Sequence, residues 1–281
     1  MKILVLGHMG MLGTDIVGRL CGSHDVIGKD IDDFDITDKE DCRRMIVESD
    51  AEIVINAAAY TNVDDCEDNQ ETCFAVNADG VRNVAQSCTE QGIKLVHFST
   101  DYVFDGTQNT PYSEDFPYNP INVYGQSKLQ GEQYLREYSN NYILIRTAWL
   151  YGRNGKNFVD TIIEKAQIER SLRVVDDQVG SPTYTVDLAS AVTILIEGNH
   201  TGIFHITNRG VCNWYEFALK IVEYADVKNV KVTPVTSDTF PRKALRPQYS
   251  VLSCKKFSHA TQRTMRFWQI ALKDYINRRI P

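Results

Sequence analysis

The chain has 281 residues, 43% of them hydrophobic and 24% charged, and its 37 Asp and Glu outnumber its 30 Lys and Arg to leave a formal charge of -7. That composition excludes a disordered, collagenous or coiled-coil chain and fits one large soluble domain or two modest ones, at roughly 150 residues per domain. The acidic balance argues against a nucleic-acid groove, which needs a surplus of cations, so a phosphate-bearing ligand must be small and held locally. No apolar run approaches the ~20 residues that cross a membrane, and Met1-Lys2 leads straight into a strand-like segment, giving a cytoplasmic expectation.

The predicted elements alternate from the start. Residues 3–6, 53–55, 95–98 and 142–145 are apolar runs rich in β-branched residues, expected as fully buried strands, with amphipathic helical stretches between them. A short strand is expected at 26–27. The pattern at Thr37 to Glu40 reads as a capping box opening a helix that runs to about residue 48, and residues 71–91 read as a crossover helix. This rhythm predicts an α/β fold, a doubly wound parallel sheet whose ligands lie beyond the carboxyl ends of the strands. After about Tyr151 the rhythm becomes less regular, although 184–196 is helix-like and 203–206 strand-like. The expected dinucleotide-binding domain is therefore 1–150 plus a returning segment at about 184–207. About 151–183 and 208–281 form a smaller, partly discontinuous C-terminal substrate domain.

The first predicted strand runs into Gly7, Gly10 and Gly13, spaced G-x-x-G-x-x-G with Met9, Met11 and Leu12 among them, at the start of a helix over 11–20. Such a turn binds phosphate: Gly7 permits the bend, Gly10 lets a pyrophosphate approach the backbone, Gly13 lets helix and strand pack closely, and the helix N-terminus offers free N–H groups. Asp30, just past the second strand, stands near the place of an acidic ribose-binding residue, or is a solvated loop acid beside Asp32, Asp33 and Asp35. The third strand ends in Ala57, Ala58, Ala59 and Tyr60, where small side chains would let a flat ligand lie on the backbone or would simply pack in the core. Asn77, in the helix that follows, reads as a buried tie between elements.

The fourth strand ends in Thr100, Asp101 and Tyr102, and a helix-compatible stretch then carries Tyr124 and Lys128 at i, i+4, on one face. An ammonium beside a phenol favours the phenolate, lowering a pKa near ~10 and making Tyr124 a proton donor or acceptor at neutral pH. Thr100 would supply a second hydrogen bond to the same substrate oxygen. A lone Tyr-x-x-x-Lys is often a solvent-facing pair; preceded at this distance by Ser99-Thr100, it is far more specific.

With these motifs in place the chain resembles an extended short-chain dehydrogenase/reductase and, more narrowly, the dTDP-4-dehydrorhamnose reductases. The segments that carry the narrower resemblance are 56–64 (NAAAYTNVD), 99–104 (STDYVF), 122–128 (NVYGQSK), 146–149 (RTAW), 177–183 (DQVGSPT) and Arg246-Pro247, in that order along the whole chain. The resemblance implies a Rossmann-like fold, Thr100, Tyr124 and Lys128 as the catalytic trio, the three glycines as the cofactor turn, and Asp35-Ile36 beside the adenine. It implies NADPH or NADH as cofactor and reduction of the C4 ketone of a nucleotide-linked 4-keto-6-deoxy-hexose. Asp101 would fix a sugar hydroxyl or its loop. Arg246, with Arg242 and Lys243, would meet the diphosphate, against the alternative of a solvated basic loop. Trp149 and Tyr102 would wall the sugar.

Related dehydratases carry a Glu directly after the Thr-Asp pair to remove a proton; Tyr102 stands there in this chain, which favours reduction over dehydration. A sugar-nucleotide epimerase and a non-catalytic cofactor-binding regulatory subunit are the alternatives. Some relatives bind a metal between subunits through acidic residues. Asp15 fits that pattern only loosely, so no metal site is assigned, and the scattered histidines offer no zinc spacing. The seven cysteines include no Cys-x-x-Cys pair and are expected to be reduced thiols. The oligomeric state is left open, with a homodimer allowed.

Overall fold

A computed structural model describes residues 1–279. Its centre is a six-stranded sheet built from β1 (Lys2–Leu6), β2 (Asp25–Lys29), β3 (Ile53–Asn56), β4 (Lys94–Thr100) and β5 (Tyr142–Thr147), with β10 (Gly202–His205) at one edge. The spatial order is β10-β5-β4-β3-β1-β2, with every neighbouring pair parallel. Alternate residues of each strand point to opposite faces, and both faces are covered. Ile3, Val5, Ile53, Ile55, Val96 and Ile143 pack with helices α1 (Met11–Leu20) and α8 (Thr185–Glu197). Leu4, Leu6, Val54, Leu95 and Leu144 pack on the other face with α2 (Lys39–Ser49), α5 (Gly80–Glu90) and α6 (Val123–Tyr138). Burial on both faces is why the strands read as continuous apolar runs.

The expected doubly wound sheet is therefore present, and the chain returns to it after residue 184 through α8 and β10. Several boundaries differ from the sequence reading. The second strand spans five residues, because residues 25–29 all pair with β1. Asp38, not Thr37, caps α2 by accepting from the Asp41 amide at 2.9 Å, while Thr37 is drawn back to Asp35. The crossover helix starts earlier and is interrupted: α4 (Gln70–Phe74) passes into a π-helical turn at Ala75–Asp79 before α5, and a short α3 (Val63–Asp68) precedes it.

The rest of the chain forms β6 (Leu150–Tyr151), α7 (Phe158–Ile168), β7 (Ser171–Val175), β8 (Val179–Gly180), β9 (Thr183–Tyr184), β11 (Cys212–Asn213), α9 (Trp214–Tyr224), β12 (Lys231–Val235), α10 (Lys255–Thr261) and α11 (Trp268–Arg279). A separate core joins α7, β7, α9 and α11 through Ile162, Leu172, Phe217, Leu272 and the rings of Tyr151, Tyr184 and Tyr275. None of the described helices is long and apolar enough to cross a membrane.

Candidate active site

The glycine turn sits at the carboxyl end of β1. Gly7 has φ +76°, and a Cβ there would lie 2.7 Å from the Ala58 amide nitrogen, so the turn and the end of β3 can touch only without a side chain. A Cβ on Gly13 would lie 2.0 Å from the Gly7 carbonyl oxygen, which is how closely α1 returns to the strand. Gly10 is the N-cap of α1; no side chain caps this terminus and no acid lies in its first turn. Unsatisfied amides in a first turn that carries no acid of its own fit a pyrophosphate.

The residues around the turn are placed unevenly. Leu12 is core, Met9 is largely exposed, and the Met11 side chain lies against Gly152 and Gly155. Asp30 turns inward: its Oδ2 accepts from the Met9 amide at 2.9 Å and its Oδ1 from the Ile31 amide at 2.9 Å. Asp30 thus ties β2 to the turn. Asp35 accepts from the amide and hydroxyl of Thr37, and Ile36 packs against Gly80. Ala57, Ala58, Ala59 and Tyr60 follow β3 and are half-buried. Asn77, in the π turn and fully buried, bonds both backbone atoms of Tyr60, so the expected tie is present.

One strand further, Thr100 ends β4 and donates to Asp101 Oδ1 at 2.9 Å, while the Tyr102 amide donates to Thr100 Oγ1 at 3.2 Å. Asn122 caps α6, accepting from the Gly125 amide at 2.8 Å and fixing the start of the helix that carries Tyr124 and Lys128. Gly125 is required because a Cβ would fall 2.2 Å from the Tyr102 carbonyl oxygen. The Tyr102 and Tyr124 rings meet edge to face, centroids 5.8 Å apart.

The electrostatics depart from the sequence expectation. Burial and the negative charge of Asp101 push the Tyr124 phenol up, with Thr100 pulling partly the other way; Lys128 is not among the groups that dominate. The ammonium itself is affected more: burial draws Lys128 down to about 8, opposed by the nearby Glu132 carboxylate. Lys128 is 2% exposed. A buried cation so placed fits a ligand hydroxyl or phosphate. Glu132, one turn on, is held by Arg146 through two bonds of 2.9 and 2.7 Å, both side chains fully buried. Burial lifts Asp101 to about 6, and its Oδ2 is buried with no partner among the described residues.

Tyr102 also lines a cavity of about 620 Å³ that opens toward the second core. Arg242 and Arg246 enter it, and both face Asp64; Arg246 Nη1 donates to Asp64 Oδ1 at 2.9 Å and Arg242 stands 3.8 Å from Asp64 Oδ2. Lys243 instead pairs with Asp68. Trp149 is not on the wall: its ring stacks at 3.5 Å on Trp214, and Trp214 lines the cavity. The sequence reading missed Trp214, Phe158, Phe240, Lys165 and Arg173, which converge from α7, β7, α9 and the segment after β12. Only an aromatic at the start of α9, inside the Asn213 to Glu216 capping box, was a usable signal. Asp15 accepts from the Thr185 hydroxyl, and among the described residues no cluster of three or more His, Cys, Asp or Glu could hold a metal.

Residues 1–280 match the family described as RmlD substrate binding domain. A dTDP-4-dehydrorhamnose reductase of Mycolicibacterium smegmatis is 39% identical over 279 residues, covering 98% of this chain and 85% of that one. Among solved structures, a dTDP-4-dehydrorhamnose reductase of Clostridium acetobutylicum superposes with TM-score 0.96 at 42% identity, covering 99% of each chain. That of Bacillus anthracis, in complex with NADP, gives TM-score 0.96 at 38% identity over 99% of this chain and 100% of the other.

Proposed function

We propose, from the premise that this chain belongs to the RmlD substrate binding domain family, that it is an NAD(P)H-dependent reductase of the C4 ketone of a dTDP-linked 4-keto-6-deoxy-hexose, forming dTDP-rhamnose in the cytoplasm. The observation that carries this reading is the edge contact of Tyr102 with Tyr124. Tyr102 is a wall of the cavity that Arg242 and Arg246 enter, so one phenol stands between a cationic ligand cavity and the Thr100–Lys128 cluster. The same placement supports reading a cofactor unit on the six-stranded sheet and a substrate unit on the second core.

The glycine turn, the uncapped start of α1, Ala57 to Tyr60 and Lys128 would hold the cofactor, and the reduced nicotinamide supplies the hydride when bound. The chain's own residues handle the proton. Negative charge grows on the ketone oxygen as carbon is reduced, and a positioned acid must neutralise it. Tyr124 suits that task because burial and Asp101 keep it protonated at neutral pH. Thr100 orients the same oxygen. Lys128 offers positive charge one helical turn away, helping the phenol release its proton. Asp101 would fix a sugar hydroxyl or the loop, while Tyr102 and Trp214 would wall the sugar nucleotide, with Trp149 buttressing Trp214. Arg246, oriented by Asp64, would meet the diphosphate with its fixed fork of donors. No carboxylate follows Asp101 to withdraw a ring proton, which favours reduction over elimination.

Incubation with NADPH or NADH and dTDP-4-keto-6-deoxy-hexose, followed by product analysis by NMR, tests the proposal. Stoichiometric cofactor oxidation with a new C4 hydroxyl is expected. A preparation that binds NADP yet consumes none would point to a regulatory subunit, and rearranged sugar without net oxidation to an epimerase; either rejects the proposal.

A further inference from the structure

A pair of buried thiols lies against the candidate active site, and the proposed reduction makes no use of it. α3 and α4 meet at Asn69, the C-cap of the first and the N-cap of the second. The junction brings two sulfurs face to face, with Cys73 Sγ 3.0 Å from Cys66 Sγ. Closing that gap to a disulfide, at about 2.05 Å, needs an approach of only about 1 Å. Both residues are fully buried in a cluster that includes Val123, Tyr60 and Tyr124.

Hydrogen bonds extend the contact. Cys73 Sγ lies within donating distance, 3.1 Å, of Ser127 Oγ, which donates to the Tyr124 carbonyl at 2.8 Å. Asn77 Nδ2 donates to Ser127 Oγ at 3.1 Å and to the Tyr60 carbonyl at 2.9 Å. A shift of Cys73 therefore reaches the backbone of both Tyr60 and Tyr124 through one or two side chains.

We infer that Cys66 and Cys73 are an oxidisable pair, converted by a peroxide to an intramolecular disulfide whose formation suppresses the reductase site. One thiolate attacks the O–O bond of hydrogen peroxide, giving a sulfenic acid and a hydroxide that takes up the thiol proton as water. The second sulfur then displaces the sulfenic hydroxyl; the S–S bond forms and a second water leaves. The two thiols together lose two electrons and two protons, and the peroxide oxygens are reduced to water. The linked form has no S–H to offer Ser127, and drawing the sulfurs together moves α3 and α4 toward each other where both pack on α6. Burial holds the Cys66 thiol above its ordinary range, so the oxidation is slow and follows local opening rather than competing with an exposed, low-pKa cysteine.

The disulfide stands on the geometry alone, whereas its effect on turnover rests on the proposed function. Full-length protein is treated with hydrogen peroxide, free thiols are alkylated, and the digest is mapped by mass without reductant. A peptide linking Cys66 to Cys73 is expected, with turnover falling on the order of tenfold or more, as small misplacements of catalytic groups do, and dithiothreitol reversing both. Cys66→Ser and Cys66→Ala should keep basal turnover and most of it after peroxide; exposed Cys21 serves as the internal control for general oxidation. Absence of the linked peptide, unchanged turnover in the linked form, or equal loss in both Cys66 variants would overturn the inference. Should the reduced protein prove inactive on the keto-sugar, the proposed function fails separately. The linked form is then expected to bind NADP more weakly, and unchanged affinity would overturn the switch.

Discussion

Asn77 holds Tyr60 by both of its backbone polar atoms: the Tyr60 amide donates to Asn77 Oδ1 at 2.9 Å, and Asn77 Nδ2 donates to the Tyr60 carbonyl at 2.9 Å. The π turn that carries Asn77 widens the helix where α6 passes so closely that a Cβ on Gly131 would lie 2.2 Å from the Asn77 carbonyl oxygen. One buried amide therefore registers the end of β3 against the helix of Tyr124 and Lys128.

Replacing it should be costly. Asn77→Ala leaves the Tyr60 amide and carbonyl without their partner, and a loss of about 2–3 kcal/mol is expected. Thermal or urea unfolding would show it; a variant as stable as the parent would mean that water or a shifted backbone replaces the tie.

Tyr124→Phe removes one proton donor and little volume. Turnover should fall about 10²- to 10⁴-fold, the usual worth of a general acid, while NADP affinity measured by titration stays within a few-fold. Near-parental turnover would remove Tyr124 from its assigned role.

The glycine turn and the Tyr-x-x-x-Lys pair were legible because each lies within one turn or one helix, where residue spacing fixes geometry. The sheet was legible because both-sided burial writes continuous apolar runs. Thr37 and Asp38 both can cap a helix, and only the competing Asp35 contacts decide between them. The cavity was less accessible to reading: Trp214, Phe158 and Arg173 come from three separate elements, and Trp149 is displaced from the wall by a stacking partner 65 positions away in the chain. Cys66 and Cys73 stand at i, i+7, which on one straight helix leaves them roughly 10 Å apart along the axis, and their contact depends on the junction of two helices at Asn69. The expected lowering of the Tyr124 pKa failed because desolvation and Asp101 outweigh a lysine whose own charge is weakened by burial.

Lys128 gives a pH signature. Its pKa in the folded chain, about 8, lies below the 10.5 of an exposed lysine. Between these values the unfolded chain binds more protons than the folded one, so this group's destabilising contribution, full below pH 8, fades as pH rises through that window. Activity should move oppositely: kcat/KM, which reports the free enzyme, should decline above pH of about 8 as the ammonium is lost. Lys128→Met should have low kcat/KM without that alkaline limb; an unchanged limb would assign it to another group.

Arg246→Ala should chiefly raise the KM for the sugar nucleotide, about 10- to 100-fold for the loss of charge-assisted bonds, with kcat changed less. Asp64→Asn should raise it more modestly, because Arg246 keeps its charge and an acceptor oxygen but loses the ionic part of its 2.9 Å anchor. Steady-state kinetics on both variants checks this, and an unchanged KM in Arg246→Ala would move the diphosphate elsewhere in the cavity.

The most direct measurement of the central claim is isotope transfer. NADPH or NADH carrying deuterium at the transferable C4 position of its nicotinamide, incubated with dTDP-4-keto-6-deoxy-hexose, should yield a sugar with one deuterium at its own C4 for each cofactor oxidised. A sugar whose C4 hydrogen carries no label, or that takes solvent hydrogen there while the cofactor remains reduced, would contradict it.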